Sequence, residues 1–582
     1  MTMRLEPYGD RALLIEVDDV SAAHRLAAAI ETARTMGLAP NGVEGTVVGY
    51  CSVVVHLQPE LEKPEVVEEW LIGLRSPHGE VGMPEPGMTT DLVIEANNVV
   101  DIPVIFDGPD LAEVATAIGH STTSVIDQFV GCELQVAFLG FAPGFPYLVG
   151  LPPELASIPR RPTPRTSVRA GSVAVGGGFA SVYPQATPGG WMLVGRTTVK
   201  LFDPDHPPYA RLRPGDRVRF SLLRTRSRVH EPGSSSLDAL PRDVPEPDGR
   251  ASTPAEPRAP LRARGTRFVE VLEPGLLSLV EDRGRRSVAG IGVPDAGAAD
   301  PETMRLANRL VGNPEGAATI EITAVGPRLR FTGNAHLAVV ASAADGVGVL
   351  IDGLRVQTDT VSPIQHGQVM AIGPVTFGLR AYVAVAGGFE TPVVVGSRSS
   401  DVLCGLGPGP LVVGDQLDLG PATRPHGQLS HPFDPALGVG PTVIRVVAGP
   451  HHFHRSDRNA LASMLWVVDH ASNRIGLRLR CEDQSFVPDA PAIRSTAMVT
   501  GAIQVPPDGS PMILMPDHGT VGGYPVIACV IAADLAKLGQ LQPGDTLTFA
   551  YVDRPTARGE YLRAERILAG RVSGWFPTEA GT

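Results

Sequence analysis

Apolar and polar positions in this chain repeat with two different periods, and the change of period marks its parts. Ser21–Met36 (SAAHRLAAAIETARTM) and Pro64–Arg75 (PEVVEEWLIGLR) set apolar residues three and four apart, the spacing of one helix face. Pro64 falls at the first helical position, where its missing N–H is no loss. Elsewhere short alternating runs read as strands bounded by turn chemistry. LRPGDRVRF, ending at Phe220, and LQPGDTLTF, ending at Phe549, both put Pro-Gly-Asp before such a run. Proline presets one turn residue and glycine takes the positive φ of the next.

These two runs belong to an internal repeat. Gly171–Val175 (GSVAV) parallels Gly501–Val505 (GAIQV), and Gly189-Gly190-Trp191 parallels Gly522-Gly523-Tyr524, in the same order before the Pro-Gly-Asp strands. The runs at His366 (HGQVMAIG) and Gly414 (GDQLDLG) read as further copies. The repeat predicts related β-barrel modules in both halves. The fold class is thus mainly β with α+β parts: tandem barrel modules preceded by a small α+β subdomain.

Boundaries follow from composition. The stretch from His230 to Arg264 holds seven prolines between Pro232 and Pro260 and few large apolar residues, so it cannot bury enough surface to offset ordering entropy. As flexible coil, it would span roughly 30 Å. A second break runs from Ser76 to Asp91. The expected division is an α+β subdomain at 1–80, a barrel at 92–225, the linker at 230–264, β modules at 267–435 and 440–555, and a tail at 556–582. The linker predicts two tethered modules rather than one continuous core.

Length and charge narrow the function. At 582 residues the chain has room for about four domains of ~150 residues. Its net charge of −13 opposes a nucleic-acid surface. Five scattered cysteines without a CxxC pair indicate neither a disulfide framework nor a zinc knuckle, which fits a reducing cytoplasm. Neither an export signal nor an uninterrupted apolar run of membrane-spanning length is apparent. Of 49 basic residues only Lys63, Lys200 and Lys537 are lysine. None follows a phosphate-binding glycine loop, and none lies between methionines as a biotin-bearing lysine does, so no covalently attached biotin is expected here.

Candidate chemistry gathers in three places. Phe138–Thr197 is dense in glycine, proline and arginine. Its Arg160, Arg165 and Arg196, with the backbone at Gly189 and Gly190, could clamp a carboxylate or phosphate; the alternative is a solvated rim. Asp282, Arg283, Asp300, Asn308 and Asn313 form a second group able to orient an amide, although both asparagines could equally finish a helix. Gln504, Asp517, His518 and Tyr524 form a third, with amide readers and an acid–base pair. The HHFH triplet at His451, His452 and His454 lacks an acidic partner at ligand spacing, so no metal site is expected. No GxSxG elbow is present, and Gly405–Gly409 lacks the strand-loop-helix setting of a nucleotide site.

Several blocks carry a family resemblance. PYGDRALLIEV, DIPVIFDGPDLAEVA, GFAPGFPYLVGL, PRRPTPR, AGSVAVGG and YPQATPGGWMLVGRT resemble, in order, allophanate hydrolase subunit 1, also called the B subunit of 5-oxoprolinase, whose family includes a histidine-kinase inhibitor. After the linker, Val271–Thr323, RAYVAVAGGFETPVVVGSRS and the run from TGAIQVPPDG to GDTLTF resemble allophanate hydrolase subunit 2, or the C subunit of 5-oxoprolinase. The same pair forms the carboxyltransferase region of urea carboxylase.

The resemblance implies cyclophilin-like barrels and a component of an ATP-dependent 5-oxoprolinase. ATP with magnesium would be the co-substrate, a lactam or amide the substrate, and a separate A subunit of 5-oxoprolinase the partner. Asp282, Asp300, Asp517 and His518 would then be catalytic. Arg160, Arg165, Arg196, Gly189, Gly190, Asn308, Gln504 and Tyr524 would bind substrate. Biotin-dependent carboxyl transfer to urea, or inhibition of a sensor kinase, are the other readings. Homo-oligomerisation is possible; a membrane or nucleic-acid partner is not expected. The chain departs from the family at Phe129, where histidine is usual, at Phe179-Ala180 (Gln-Thr), at Ala296 (serine), and at His518 and Val521 (glutamine and threonine).

Overall fold

A computed structural model describes residues 3–58, 64–74, 98–223, 258–343, 346–425, 440–481 and 486–572. The N-terminal subdomain is a four-stranded antiparallel sheet covered by the helix Val20–Thr35, whose start is capped by Asp19 accepting from Ala22 N–H. Helix Pro64–Gly73 begins at the proline that the sequence marks.

The two barrels share one strand order. Numbered in chain order, the first comprises Val99–Val104, Leu134–Leu139, Pro146–Val149, Ser172–Gly176, Phe179–Val182, Met192–Arg196 and Arg217–Leu222. The last comprises Thr442–Ala448, Trp466–Val468, Gly476–Arg480, Ala502–Gln504, Met512–Leu514, Val526–Val530 and Thr546–Tyr551. Around each barrel the order is 1-6-4-5-3-2-7, and strand 7 lies parallel to strand 1. The last barrel is closed, while a bridge between Ile105 and Arg196 joins the ends of the first. The GSVAV/GAIQV pair therefore occupies strand 4 in both, and each Pro-Gly-Asp turn feeds strand 7.

The module between them does not repeat that order. Six-stranded and five-stranded sheets face each other over one core, with Val271, Leu329 and Ile372 from one side meeting Ile320, Val339 and Val383 from the other. Val369–Val375 and Gln416–Asp418, from the expected third and fourth copies, lie in the six-stranded sheet. Alternation and a Gly-Asp turn specify a strand but not which sheet receives it.

Two further expectations need correction. The halves are not merely tethered: Tyr8, Leu14 and Val54 of the N-terminal sheet share a buried cluster with Met498, Val526 and Cys529 of the last barrel. Tyr50 N–H also donates to Ser495 O, and Ala532 N–H to Asp10 Oδ2. Linker composition reports only on the linker; the apolar faces that meet lie far from it in sequence. The linker's last residues are also fixed, with Arg258 forked onto Asp415 at 2.9 and 2.6 Å and Leu261 N–H donating to the same carboxylate. The rest of it lies outside the described residues. The expected tail is helical from Arg554 to Gly570, capped by Asp553 and pinned by Arg554 to Glu68 and by Glu565 to Arg305. Among the described residues no helix is long and apolar enough to cross a membrane.

Candidate functional site

Where the N-terminal sheet, the segment from Asp282 to Arg305 and the last barrel meet, they enclose a cavity of ≈ 310 Å³. From the N-terminal half come Asp10, Arg11 and His56; from the C-terminal half come Asp295, Ala296 and His518.

A tight turn presents the first pair. Tyr8 N–H donates to Ala12 O, and Gly9 takes φ +72°. Asp10 then caps the loop at Ala532, while Arg11 Nη2 donates to Thr500 O at 2.9 Å. Burial pushes the Asp10 carboxyl up, against the pull of Arg11. His56 lies opposite Ala12 in the sheet register, which places it beside this turn. Its Nε2 is buried with no hydrogen-bond partner among the described residues, and burial lowers its pKa to about 4. The ring is therefore neutral at pH 7.

The opposing wall is a loop held by its own backbone. Arg285 N–H donates to Asp295 O at 2.6 Å, and a Cβ at Gly284 would stand 2.3 Å from that oxygen. Only glycine permits so close an approach. Ala296 takes φ +52°, a left-handed conformation costly for a residue with a Cβ, and its N–H donates to Pro516 O. The loop thereby carries Asp295 to the cavity beside His518. Burial raises the Asp295 carboxyl, opposed by His518; burial likewise lowers His518. His518 Nδ1 lies 2.8 Å from Gly519 O, and a carbonyl only accepts. Nδ1 therefore holds the proton of the neutral ring, leaving Nε2 as its base. A carboxyl that burial shifts toward its protonated form, beside an imidazole that burial keeps neutral, is suited to proton exchange with a ligand.

Behind His518 sits a buried charge network. Arg474 forks onto Asp517 at 3.0 and 2.9 Å, reaches Glu321 at 2.5 Å and donates to Gly297 O. Glu321 also accepts from Arg380 and from the Tyr382 hydroxyl. This network ties the Ala296–Gly297 loop to the strand end that bears His518.

The sequence-predicted residues divide accordingly. Asp282 and His518 line the cavity; Asp300, Asp517, Asn308, Gln504, Tyr524 and the whole Arg160 group do not. Asp282 is saturated by Ser397, Ser399 and the N–H groups of Gly284 and Arg398. Asp300 caps helix Pro301–Leu310 through Thr303 and also accepts from Gln540. Asp517 belongs to the Arg474 pair, which speaks against the catalytic roles given to these two aspartates. Asn308 is buried and donates to Ala317 O, and Gln504 Nε2 donates to Met498 Sδ. Tyr524 is exposed.

Nor do the three arginines converge on a clamp. Arg165 is held by Asp110 at 2.7 Å and Arg196 by Asp107 at 2.9 Å, whereas Arg160 lies over the Trp191 ring. Gly189 makes room for Tyr183, whose hydroxyl would stand 2.2 Å from an added Cβ, and Gly190 packs beside Pro164. Phe129, a departure from the family, packs between Phe106 and Phe220 in the barrel core and does not line the cavity. In the histidine triplet, His451 Nδ1 accepts from Val526 N–H and His454 caps helix Arg455–Ser463. Arg11, His56 and Asp295 escaped sequence reasoning. Arg11 stands in PYGDR and Asp295 in VPDAGAAD, within the two stretches that carry the resemblance, and His56 is the one imidazole in the strand SVVVHL.

Together the fold and cavity define a two-half protein in which twin seven-stranded barrels flank a sandwich, and both halves build one site. Residues 3–212 match the family model "Carboxyltransferase domain, subdomain C and D", and residues 291–551 match "Carboxyltransferase domain, subdomain A and B". The chain is 33% identical to the C subunit of 5-oxoprolinase from Escherichia coli K12 over 48% of its own length and 90% of that protein's. It is 52% identical to the B subunit of 5-oxoprolinase from Escherichia coli O157:H7 over 21% of its length and 56% of that protein's. The crystal structure of TTHA0988 superposes with a TM-score of 0.75 at 31% identity, covering 93% of this chain and 99% of the other. The chain belongs to the carboxyltransferase-domain family that holds the B and C subunits of 5-oxoprolinase, with both parts in one polypeptide.

Proposed function

We propose that this chain is the fused B and C component of an ATP-dependent 5-oxoprolinase, which opens pyroglutamate to glutamate together with a separate A subunit. The observation that supports this reading is the cavity itself, lined at once by residues from the half similar to the B subunit of 5-oxoprolinase and from the half similar to its C counterpart. In the reaction the ring C–N bond breaks, water adds hydroxide to the carbonyl carbon and a proton to the nitrogen, and ATP hydrolysis drives the step. An unstrained lactam resists attack unless its carbonyl is activated and its nitrogen protonated as it leaves. The His518 Nε2 base would take the proton of the attacking water, and Asp295, whose hold on a proton burial strengthens, would supply one to the departing nitrogen. ATP with magnesium enters as co-substrate, and its binding is assigned to no residue of this chain.

The test mixes the purified chain with the A subunit, ATP and pyroglutamate and measures glutamate. Release by the mixture, and little by either protein alone, is the expected result. The family model's name favours a second reading, biotin-dependent carboxyl transfer to urea. Urea carboxylation by this chain in the presence of a biotin carrier and its carboxylase, with no glutamate release, would establish that reading instead.

A further inference from the structure

We propose that Arg11, supplied by the N-terminal half, selects an acidic lactam by pairing with its carboxylate while Asp295 and His518 face the ring amide. The inference rests on the cavity being the lactam site and assigns a residue that selects the substrate class.

The charges on the cavity wall single out Arg11. Arg283 is held by Glu315 at 2.8 Å, Arg286 by Glu44 at 2.8 Å, and Arg305 by Glu315 and Glu565 at 2.7 and 2.5 Å. Among the described residues, Arg11 is the cavity-lining arginine with no carboxylate at hydrogen-bonding distance: Asp10 Oδ1 stands 4.0 Å from its Nε. One donor meets Thr500 O, and the rest of the fork has no hydrogen-bond acceptor among the described residues. A guanidinium with open parallel donors is a bidentate carboxylate site.

The surroundings suit the same occupant. Asp10 and Asp295 are both pushed by burial toward the uncharged acid, which lessens their repulsion of an incoming carboxylate. Glu302, also on the wall, is paired with Arg571. At ≈ 310 Å³ the cavity has room for a five-membered ring acid. A neutral amide such as urea has no group for the Arg11 fork to pair with.

Calorimetry on the whole chain combined with the A subunit would compare pyroglutamate with 2-pyrrolidinone, the same ring without the carboxylate. The wild type is expected to bind the acid more tightly. Arg11→Gln should weaken pyroglutamate about ten- to over a hundredfold, the loss of a charge-assisted bond, and shift 2-pyrrolidinone less than about threefold. Arg286→Gln, on the same wall but held by Glu44, should keep the discrimination. If Arg11→Gln fails to fold, Arg11→Lys decides by the same ratio, since a point ammonium cannot reproduce the fork. Equal weakening of both ligands, or equal wild-type affinity for both, overturns the role of Arg11. Glutamate release by the wild type would then still uphold the lactam reading. Absence of both glutamate release and binding overturns the reading and this inference with it.

Discussion

Arg474 and Asp517 form a forked ion pair at 3.0 and 2.9 Å, wholly inside the protein, with His518 the next residue along the chain. The same guanidinium holds Glu321 and the Gly297 carbonyl, so one side chain anchors both loops of the C-terminal wall. Replacing Arg474 by methionine would strand Asp517 without its forked partner and leave Glu321 to Arg380 alone. The expected loss is about 3–5 kcal/mol of stability, since the uncompensated buried charge costs more than the pair is worth. Chemical denaturation of the variant checks this; a loss below about 1 kcal/mol would mean that water reaches the site.

Gly9 sits at the junction of the halves with φ +72°, and a Cβ there would stand 3.3 Å from the Cys529 Cβ. Gly9→Val should strain the turn that presents Asp10 and Arg11 and push the sheet off the barrel. A destabilisation of about 1–3 kcal/mol is expected from the backbone term. Thermal unfolding measures it, and an unchanged midpoint would show that the turn can relax.

Cleavage of the connection should not part the halves, because they share a buried apolar cluster and the Arg286–Glu44 and Arg554–Glu68 bridges. A protease site inserted near residue 240 would be cut and the product passed through size exclusion. Co-elution is expected at micromolar concentration. Separate peaks would mean that the interface depends on covalent linkage.

Arg196 pairs with Asp107 on the surface, both being more than two-fifths exposed. Such a pair contributes less than about 1 kcal/mol. Arg196→Ala should therefore leave glutamate release by the reconstituted system within about twofold of normal. A tenfold loss would return the anion site to the first barrel.

Acid should destabilise the protein earlier than its carboxylates alone require. His56 titrates at about 4 in the fold against 6.5 in the open chain. Between these values the unfolded chain binds the extra proton, so stability falls as pH drops from about 6.5 to about 4 and levels off, for this group, below. His451 behaves alike. His56→Gln should flatten the stability-versus-pH curve in that window; an unchanged slope would place the titration elsewhere.

The sequence alone determined what is local or repeated: the two helices with their starts, the Pro-Gly-Asp turns, and barrels that proved to share one strand order. These follow from periodicities of two and 3.6 residues and from φ preferences, which act within a few positions. It also marked His518 as chemical. It could not show that Asp517 and Asp300 are held in structural pairs, because an aspartate that caps a helix or neutralises an arginine is the same letter as one that moves a proton. Only the tertiary structure brought Arg11 and His56 to face Asp295 and His518 across several hundred residues, since which apolar faces meet depends on shape rather than on spacing along the chain.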